Sequence, residues 1–159
     1  MEMLKKKFCL FVCLVVVSAC STIKKLPANV AGASRARFVA NWSVTNISYE
    51  GLLQGAVQTI FNIAPPKDFV GSTWKLTNSG NGIITLTNGI SQTVYWSYST
   101  KNPDVFQFKK LFAGDNARKV EEGYQLTIGS IDDTQMILKL PVVLGDKTAY
   151  VVLHFVKMN

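Results

Sequence analysis

The sequence predicts an all-β domain: an antiparallel up-and-down barrel of eight or nine strands, preceded by a signal peptide and a flexible tether. From Trp42 to the C-terminus, apolar and polar residues alternate with a period of two, which is the pattern of strands with one buried face. Turn dipeptides such as Asn88-Gly89 separate the alternating runs. The spacing of roughly ten residues per strand and turn favours an antiparallel meander.

The predicted strands lie near 41–49, 55–63, 72–78, 82–88, 91–99, 104–111, 122–130, 134–141 and 147–157. Residues Glu50 to Phe61 fit either a strand or a short helix, and Asp115 to Glu122 fit a single helical turn. Eight up-and-down strands hide their apolar face and their edges by closing into a barrel. Such a barrel is either filled by side chains or holds one small ligand.

The N-terminus has the parts of an export signal. Basic residues lie between Met1 and Lys7, and an apolar run follows from Phe8 to Val17. This run is too short to cross a bilayer as a helix but suits a signal peptide of residues 1–19. Val17-Ser18-Ala19-Cys20 resembles the lipobox of bacterial lipoproteins, which implies lipidation of the Cys20 sulfur and cleavage before it. The alternative is ordinary cleavage after Ala19, which leaves Cys20 a free thiol.

Lipid on Cys20 would tether the domain to a membrane. One acyl chain binds only marginally, whereas the two or three chains of a lipoprotein anchor it stably. Because Ser21 stands where an aspartate would favour retention in the inner membrane, the resemblance implies an outer-membrane lipoprotein facing the periplasm. Residues 20–37 are then the lipid anchor and linker, and residues 38–159 the barrel domain. Four linker cations are either solvated or held against anionic head groups: Lys24, Lys25, Arg35 and Arg37.

Several classes of chemistry are not expected. All three cysteines lie within the first twenty residues, so the domain has no disulfide or thiolate metal site. His154 is the only histidine, and it is expected to pack within an apolar strand. The chain has no phosphate loop, dinucleotide fingerprint or nucleophile elbow, and Asp132-Asp133 is interpreted as a turn. We therefore expect no catalytic residue, no metal and no other cofactor, and nucleic-acid binding does not suit an exported chain despite its net charge of +7.

Four short stretches share the pattern of a known family: Asn41–Gly51, Phe69–Leu76, Gly123–Leu126 and Val151–Lys157. They resemble the lipocalin-like lipoproteins common in the Bacteroidetes, which implies a lipocalin-like barrel that binds a small apolar molecule. Lipocalins carry Gly-x-Trp at the first strand, and Ala40-Asn41-Trp42 keeps only the tryptophan. The resemblance further implies that Lys157 covers Trp42 at one barrel end, as a structural cation–π pair.

Aromatic residues on the predicted inward faces are the candidates for a binding site. Trp96, Tyr98, Phe106, Phe108 and Tyr124 either form a packed core or line a cavity in which the two tyrosines supply polar groups. Filled and hollow barrels share the same alternation, so both remain open. The leading prediction is a membrane-anchored, non-enzymatic lipoprotein that binds a small hydrophobic ligand. The alternative is a filled barrel acting as a non-catalytic envelope structural or protein-interaction module.

Overall fold

In a computed structural model of the chain, which describes residues 32–159, eight antiparallel strands form one closed barrel. The strands are β1 (Ala40–Glu50), β2 (Thr73–Leu76), β3 (Asn81–Thr85), β4 (Ser91–Ser99), β5 (Asn102–Leu111), β6 (Tyr124–Ile131), β7 (Gln135–Leu144) and β8 (Lys147–Lys157). Each strand pairs with the next, and β8 pairs with β1. The predicted all-β, up-and-down barrel is thus confirmed, with eight strands. The predicted signal peptide and Cys20 lie outside the described residues.

The alternation in the sequence separates the inside of the barrel from the outside. In β5, Phe106 and Phe108 are buried, whereas Gln107 and Lys109, which alternate with them, face outward and are half-buried. Successive side chains of a strand point to opposite faces, so one residue in two enters the core. All eight strands are paired on both sides, and closure removes the edges that an open sheet would expose.

The strand predicted at 55–63 is wrong, and the alternative of a short helix there is wrong as well. Residues 51–72 connect β1 to β2 through turns, one isolated bridge between Ile60 and Ala64, and a 3₁₀ helix at Pro66–Phe69. Ile60, Phe61, Ala64 and Phe69 of this segment are buried. They enter the mouth of the barrel and do not join its wall. Residues 116–120 close a single hydrogen-bonded turn on Asn116 O, as expected, without continuing into a helix.

The two ends of the barrel are closed by different segments. At the N-terminal end, where β1 begins, the short helix α1 (Arg35–Phe38) lies across the opening. The last residues of the predicted linker therefore pack against the barrel. The opposite end, which we call the distal end, carries the connections 51–72, 86–90, 112–123 and 145–146. No helix within residues 32–159 is long and apolar enough to cross a membrane.

Candidate functional site

The five aromatic candidates all lie inside the barrel. Trp96 and Phe106 are completely buried, Phe108 is nearly so, and Tyr98 and Tyr124 are half-buried. These side chains belong to the inner faces of β4, β5 and β6. The five side chains form two clusters, however. The rings of each cluster contact one phenylalanine that does not belong to any strand.

Phe38, at the end of α1, occupies the N-terminal end of the interior. Its ring centroid lies 5.2 Å from that of Tyr98, 5.2 Å from that of Phe106 and 6.0 Å from that of Trp96. Trp96 and Phe106 stack on each other at 5.8 Å. At these separations the rings are in contact, so Phe38 fills the space between three of the candidate residues.

Hydrogen bonds fasten the N-terminal segment in this position. The Trp42 indole N–H donates to Phe38 O at 3.0 Å, and the Tyr98 hydroxyl donates to Ala33 O at 3.1 Å. Burial raises the pKa of Tyr98 above its ordinary value, so the hydroxyl stays protonated and able to donate. The polar groups of the buried tryptophan and tyrosine at this end thus have partners.

Two arginines of α1 contact barrel residues at the N-terminal end. The Arg35 guanidinium lies 4.4 Å from the centroid of Trp96 and donates to Asn78 O at 3.0 Å. Arg37 Nε lies 3.4 Å from Asp133 Oδ1. The sequence suggested solvent or lipid as partners for these two cations, and the structure gives both a partner in the barrel.

Trp42 and Lys157 are direct partners in the ladder between β1 and β8. The Trp42 side chain is fully buried beneath Phe38, whereas Lys157 is exposed. Among the described residues, the cation that lies over a tryptophan is Arg35, on Trp96. The cation–π contact expected between Lys157 and Trp42 is therefore not found among the described residues, and the contact of this kind at this end is made by Arg35 and Trp96.

Phe61 occupies the distal end of the interior. Its ring centroid lies 5.1–5.8 Å from those of Phe69, Trp74, Phe108 and Tyr124, in edge-to-face geometry with each. Trp74 in turn contacts Phe108 at 5.7 Å. The interior on this side is therefore also occupied by the protein's own aromatic rings.

The backbone that carries Phe61 has an unusual conformation. Phe61 and Asn62 have φ of 56° and 49°, and Ile63 N donates to Ile60 O at 3.1 Å. Two central residues with positive φ define a type I′ turn, which normally takes Asn and Gly. A bulky residue there is an outlier held by its surroundings. The Tyr124 hydroxyl supplies part of that support by donating to Phe61 O at 2.8 Å.

Two buried polar atoms where the chain enters β2, next to the Phe61 cluster, are unpartnered. Within residues 32–159, the Trp74 indole N–H and the Ser72 hydroxyl have no hydrogen-bond partner. Both side chains are almost completely buried. A buried polar group without a partner costs about 1–3 kcal/mol, and in native proteins it often marks the place of a water molecule or a ligand.

Apolar side chains are exposed around the distal end. Leu53 is 83% exposed, Val143 76% and Phe112 65%. We call the following six residues, all in or next to distal connections, the distal rim: Leu53, Val70, Ile90, Phe112, Val143 and Leu144. The alternation in the sequence does not predict the rim, because these segments have the composition of turns. The available signal was the presence of large apolar residues among turn-forming ones, as in Phe112-Ala113-Gly114.

His154 lies on the outer wall rather than in the core. It is half-buried, and its Nε2 lies 2.9 Å from Ser48 Oγ, in hydrogen-bond contact. A serine activated by histidine also needs a group that orients the histidine. Among the described residues none is hydrogen-bonded to the other ring nitrogen of His154. The pair is therefore a polar contact between β1 and β8, and not a triad.

Among residues 32–159, no three His, Cys, Asp or Glu side chains lie close enough to hold a metal ion. Comparison of the chain with models of known protein families gives no match, and comparison with curated proteins gives none. The resemblance to lipocalin-like lipoproteins therefore rests on the four sequence stretches, alongside the eight-stranded barrel that the structure shows. Membership of that family remains a proposal.

Proposed function

We propose that the protein is a lipid-anchored lipoprotein of the outer membrane whose filled barrel presents the distal rim to a protein partner in the cell envelope. The exposed rim is the observation that carries this proposal. Exposed apolar patches are typical of interaction sites, and six exposed large apolar residues lie in or next to the connections at this one end of the barrel. Exposed aromatic and large aliphatic residues such as Phe112 and Leu53 are the kind of anchors that bury into pockets of a partner.

The occupied interior favours this role over ligand carriage. Phe38 and Phe61 enter the barrel from opposite ends, and the five candidate aromatics contact one or the other. Interiors packed in this way leave little room for a further molecule. The surface of the barrel is then the part of the domain that is open to binding.

The position of the predicted anchor supports the same role. The chain enters the barrel at the N-terminal end, and residues 21–32 reach at most about 40 Å when extended. The rim lies at the other end of the barrel. A lipid on Cys20 would thus attach to the membrane through the N-terminal end, which is opposite the rim, and leave the rim free to meet a partner.

Site-specific photo-crosslinking in the producing cells tests the proposal. A photoreactive amino acid replaces Leu53, Phe112 or Val143 on the rim, or Ile83 or Val156 on the wall of the barrel as matched exposed apolar controls. We expect all three rim positions to crosslink the same protein and neither wall position to do so. Crosslinks only to lipid, or equal crosslinking from rim and wall, would contradict the proposal.

The anchor requires its own test. Cells labelled with a radioactive or clickable fatty acid should incorporate it into the wild-type chain and not into Cys20→Ser, which should leave the membrane fraction. Incorporation that survives Cys20→Ser would show that the lipid is elsewhere, and absence of label in both would remove the anchor. A Cys9→Ser variant is the matched control, because the proposed cleavage discards that cysteine.

A second candidate function is the binding of a small amphipathic ligand beneath the Phe61 turn. It is favoured by the unpartnered Trp74 N–H and Ser72 hydroxyl, which an oxygen acceptor on an apolar molecule would satisfy. The ligand would have to displace the Phe61 ring. We expect Phe61→Gly, which vacates that space, to bind a fluorescent fatty acid more tightly than the wild type. Equal or weaker binding would remove this candidate.

A further inference from the structure

We propose that the outer wall of the barrel holds a saccharide-binding cleft that contains no residue of the distal rim. Most of its lining comes from outward-facing residues, and Phe108 and Tyr124 also contribute to it. A cavity of about 430 Å³ lies between the outer faces of β4, β5 and β6 and the 112–123 connection. This volume falls within the range of about 300–1,000 Å³ that is usual for small-molecule sites. The proposal does not depend on the proposed function, because no residue of the distal rim lines the cavity.

The floor of the cleft is a row of neutral polar side chains. Ser97 is the direct ladder partner of Gln107, and Gln107 is the direct partner of Gln125. Side chains of direct partners lie next to one another on the same face. The two amides each offer donors and an acceptor, and the hydroxyl offers both.

A second row of residues on the floor lies beside the first and contains an aromatic ring and a glycine. Tyr95 is the direct partner of Lys109, and Gly123 follows on the other side of Lys109. A Cβ at Gly123 would come within 3.2 Å of both the Lys109 side chain and Phe108 O. The absence of a side chain at Gly123 therefore keeps this part of the floor open.

The Tyr95 ring is held in a fixed place by a glycine of the neighbouring hairpin. Gly80 has φ of +93°, and a Cβ there would lie 2.8 Å from the Tyr95 ring. Only glycine suits this backbone conformation and this close approach. The ring therefore rests on the Gly80 backbone and presents an apolar surface at the margin of the cleft.

The wall of the cleft is formed by a connection with its own hydrogen bonds. Asn116 Oδ1 accepts from Arg118 N at 3.0 Å, and Asn116 O accepts from Lys119 N at 2.8 Å. The Lys109 ammonium, on the floor, donates to Val120 O and so ties the wall to the sheet. A wall fixed in this way is preorganised, which lowers the entropic cost of binding.

The lining matches the chemistry of a sugar. Arg118 and Glu121 bring one free cation and one free anion to the cleft, since neither makes an ion pair within residues 32–159. Together with the two glutamines, these side chains supply planar hydrogen-bond donors and acceptors. Neighbouring hydroxyl groups of a sugar, which both donate and accept, suit such a lining. The Tyr95 ring suits the apolar C–H face of a pyranose.

Two other ligand classes fit less well. An extended peptide binds sheets by adding a strand to an edge, and all eight strands of this barrel are paired on both sides. A small inorganic anion would be attracted by Arg118 but would meet the carboxylate of Glu121 in the same cavity, and the ammonium of Lys109 is already engaged by Val120 O. A neutral or singly acidic saccharide satisfies both groups.

Nuclear magnetic resonance of the mature chain tests the proposal, in micelles of a detergent that has no sugar head group. Glucose, galactose, mannose, N-acetylglucosamine and glucuronic acid are each added at millimolar concentration. We expect at least one of them to shift the side-chain amide signals of Gln107 and Gln125 saturably. If none does, or if signals on the opposite wall shift equally, the proposal is overturned.

Matched variants sharpen the same experiment. Arg118→Ala removes a charged donor and should weaken binding of the responding sugar about tenfold or more. Lys119→Ala is the control, because it removes a neighbouring exposed cation that does not line the cleft. Equal effects of the two variants would assign the binding to general charge and overturn the specific site.

Discussion

The two ends of the barrel are closed by the same kind of side chain but in opposite ways. At the N-terminal end, Phe38 comes from a short helix, and the buried Trp42 and Tyr98 around it donate hydrogen bonds to the entering segment. At the distal end, Phe61 comes from a turn with positive φ, and the neighbouring Trp74 has an unpartnered N–H. At the N-terminal end the buried polar groups have hydrogen-bond partners, whereas at the distal end a backbone segment has positive φ and a buried N–H beside it lacks a partner.

The difference indicates where function lies. Natural proteins tend to keep strained backbone and unpaired polar groups at functional sites, since elsewhere their cost is removed by selection. The distal end combines both features with the exposed distal rim. We therefore interpret the N-terminal end as a structural seal and the distal end as the part of the domain that meets other molecules.

The largest expected effect is the loss of the N-terminal seal. Phe38→Ala removes a fully buried ring from the contacts with Trp96, Tyr98 and Phe106. It should lower the free energy of unfolding by about 3–5 kcal/mol, measured by denaturant titration. Phe112→Ala on the rim is the matched control and should change it by less than about 0.5 kcal/mol. Similar losses for the two variants would contradict the assignment of Phe38 to the core.

Two buried tryptophans, which are direct ladder partners on β1 and β2, allow a paired and an unpaired indole N–H to be compared. Trp42→Phe leaves Phe38 O without its donor, whereas Trp74→Phe removes an N–H that already has no partner. Both variants delete a similar volume, so their difference isolates the polar group. We expect Trp42→Phe to be the less stable by about 1–3 kcal/mol. Equal stabilities would mean that the Trp74 N–H has a partner in solution, such as a bound water.

Backbone strain at the Phe61 turn should reverse the usual order of stability between a glycine and an alanine variant. Phe61→Ala and Phe61→Gly both remove the ring, but glycine alone is relaxed at φ of 56°. Glycine usually destabilises relative to alanine, whereas here we expect Phe61→Gly to be at least as stable as Phe61→Ala. Thermal unfolding measures the difference. A Phe61→Gly variant that is clearly less stable than Phe61→Ala would show that the turn carries no strain.

The smallest expected effect is a pH dependence at the N-terminal end. Backbone N–H groups of Thr134 and Gln135 donate to Asp132 Oδ1 and hold the pKa of Asp132 below its ordinary value. The charged form therefore stabilises the fold above the ordinary pKa, and this stabilisation is lost as the pH falls through the lowered pKa. The difference in Tm between wild type and Asp132→Asn should shrink below about pH 4. A constant difference would contradict the role of the charge.

Much of the barrel could be predicted because its walls follow a simple rule. Phe106 and Phe108 alternate with Gln107 and Lys109, and this period alone assigns them to the inside and the outside. The strands whose sequence alternates were all found, with differences of a few residues at their ends. Closure followed from the need to cover strand edges.

The closures of the two ends could not be predicted in the same way. Phe38 and Phe61 lie in segments that lack the apolar–polar alternation of the strands. They are buried because the folded barrel places an open end next to each segment, and the local sequence does not encode that position. Ile60 and Phe61 therefore suggested a ninth strand, whereas the chain reverses at that point. For the same reason, the sequence left open whether Trp96 and Phe108 line a cavity or pack against other rings.

Native mass spectrometry of the mature chain, extracted from its own cells and released from detergent in the spectrometer, tests most directly whether the barrel is filled by its own side chains. We predict the mass of the polypeptide with its covalent lipid, with no additional small molecule. A second mass that corresponds to a non-covalently bound apolar molecule, lost when the chain is unfolded, would contradict the filled interior.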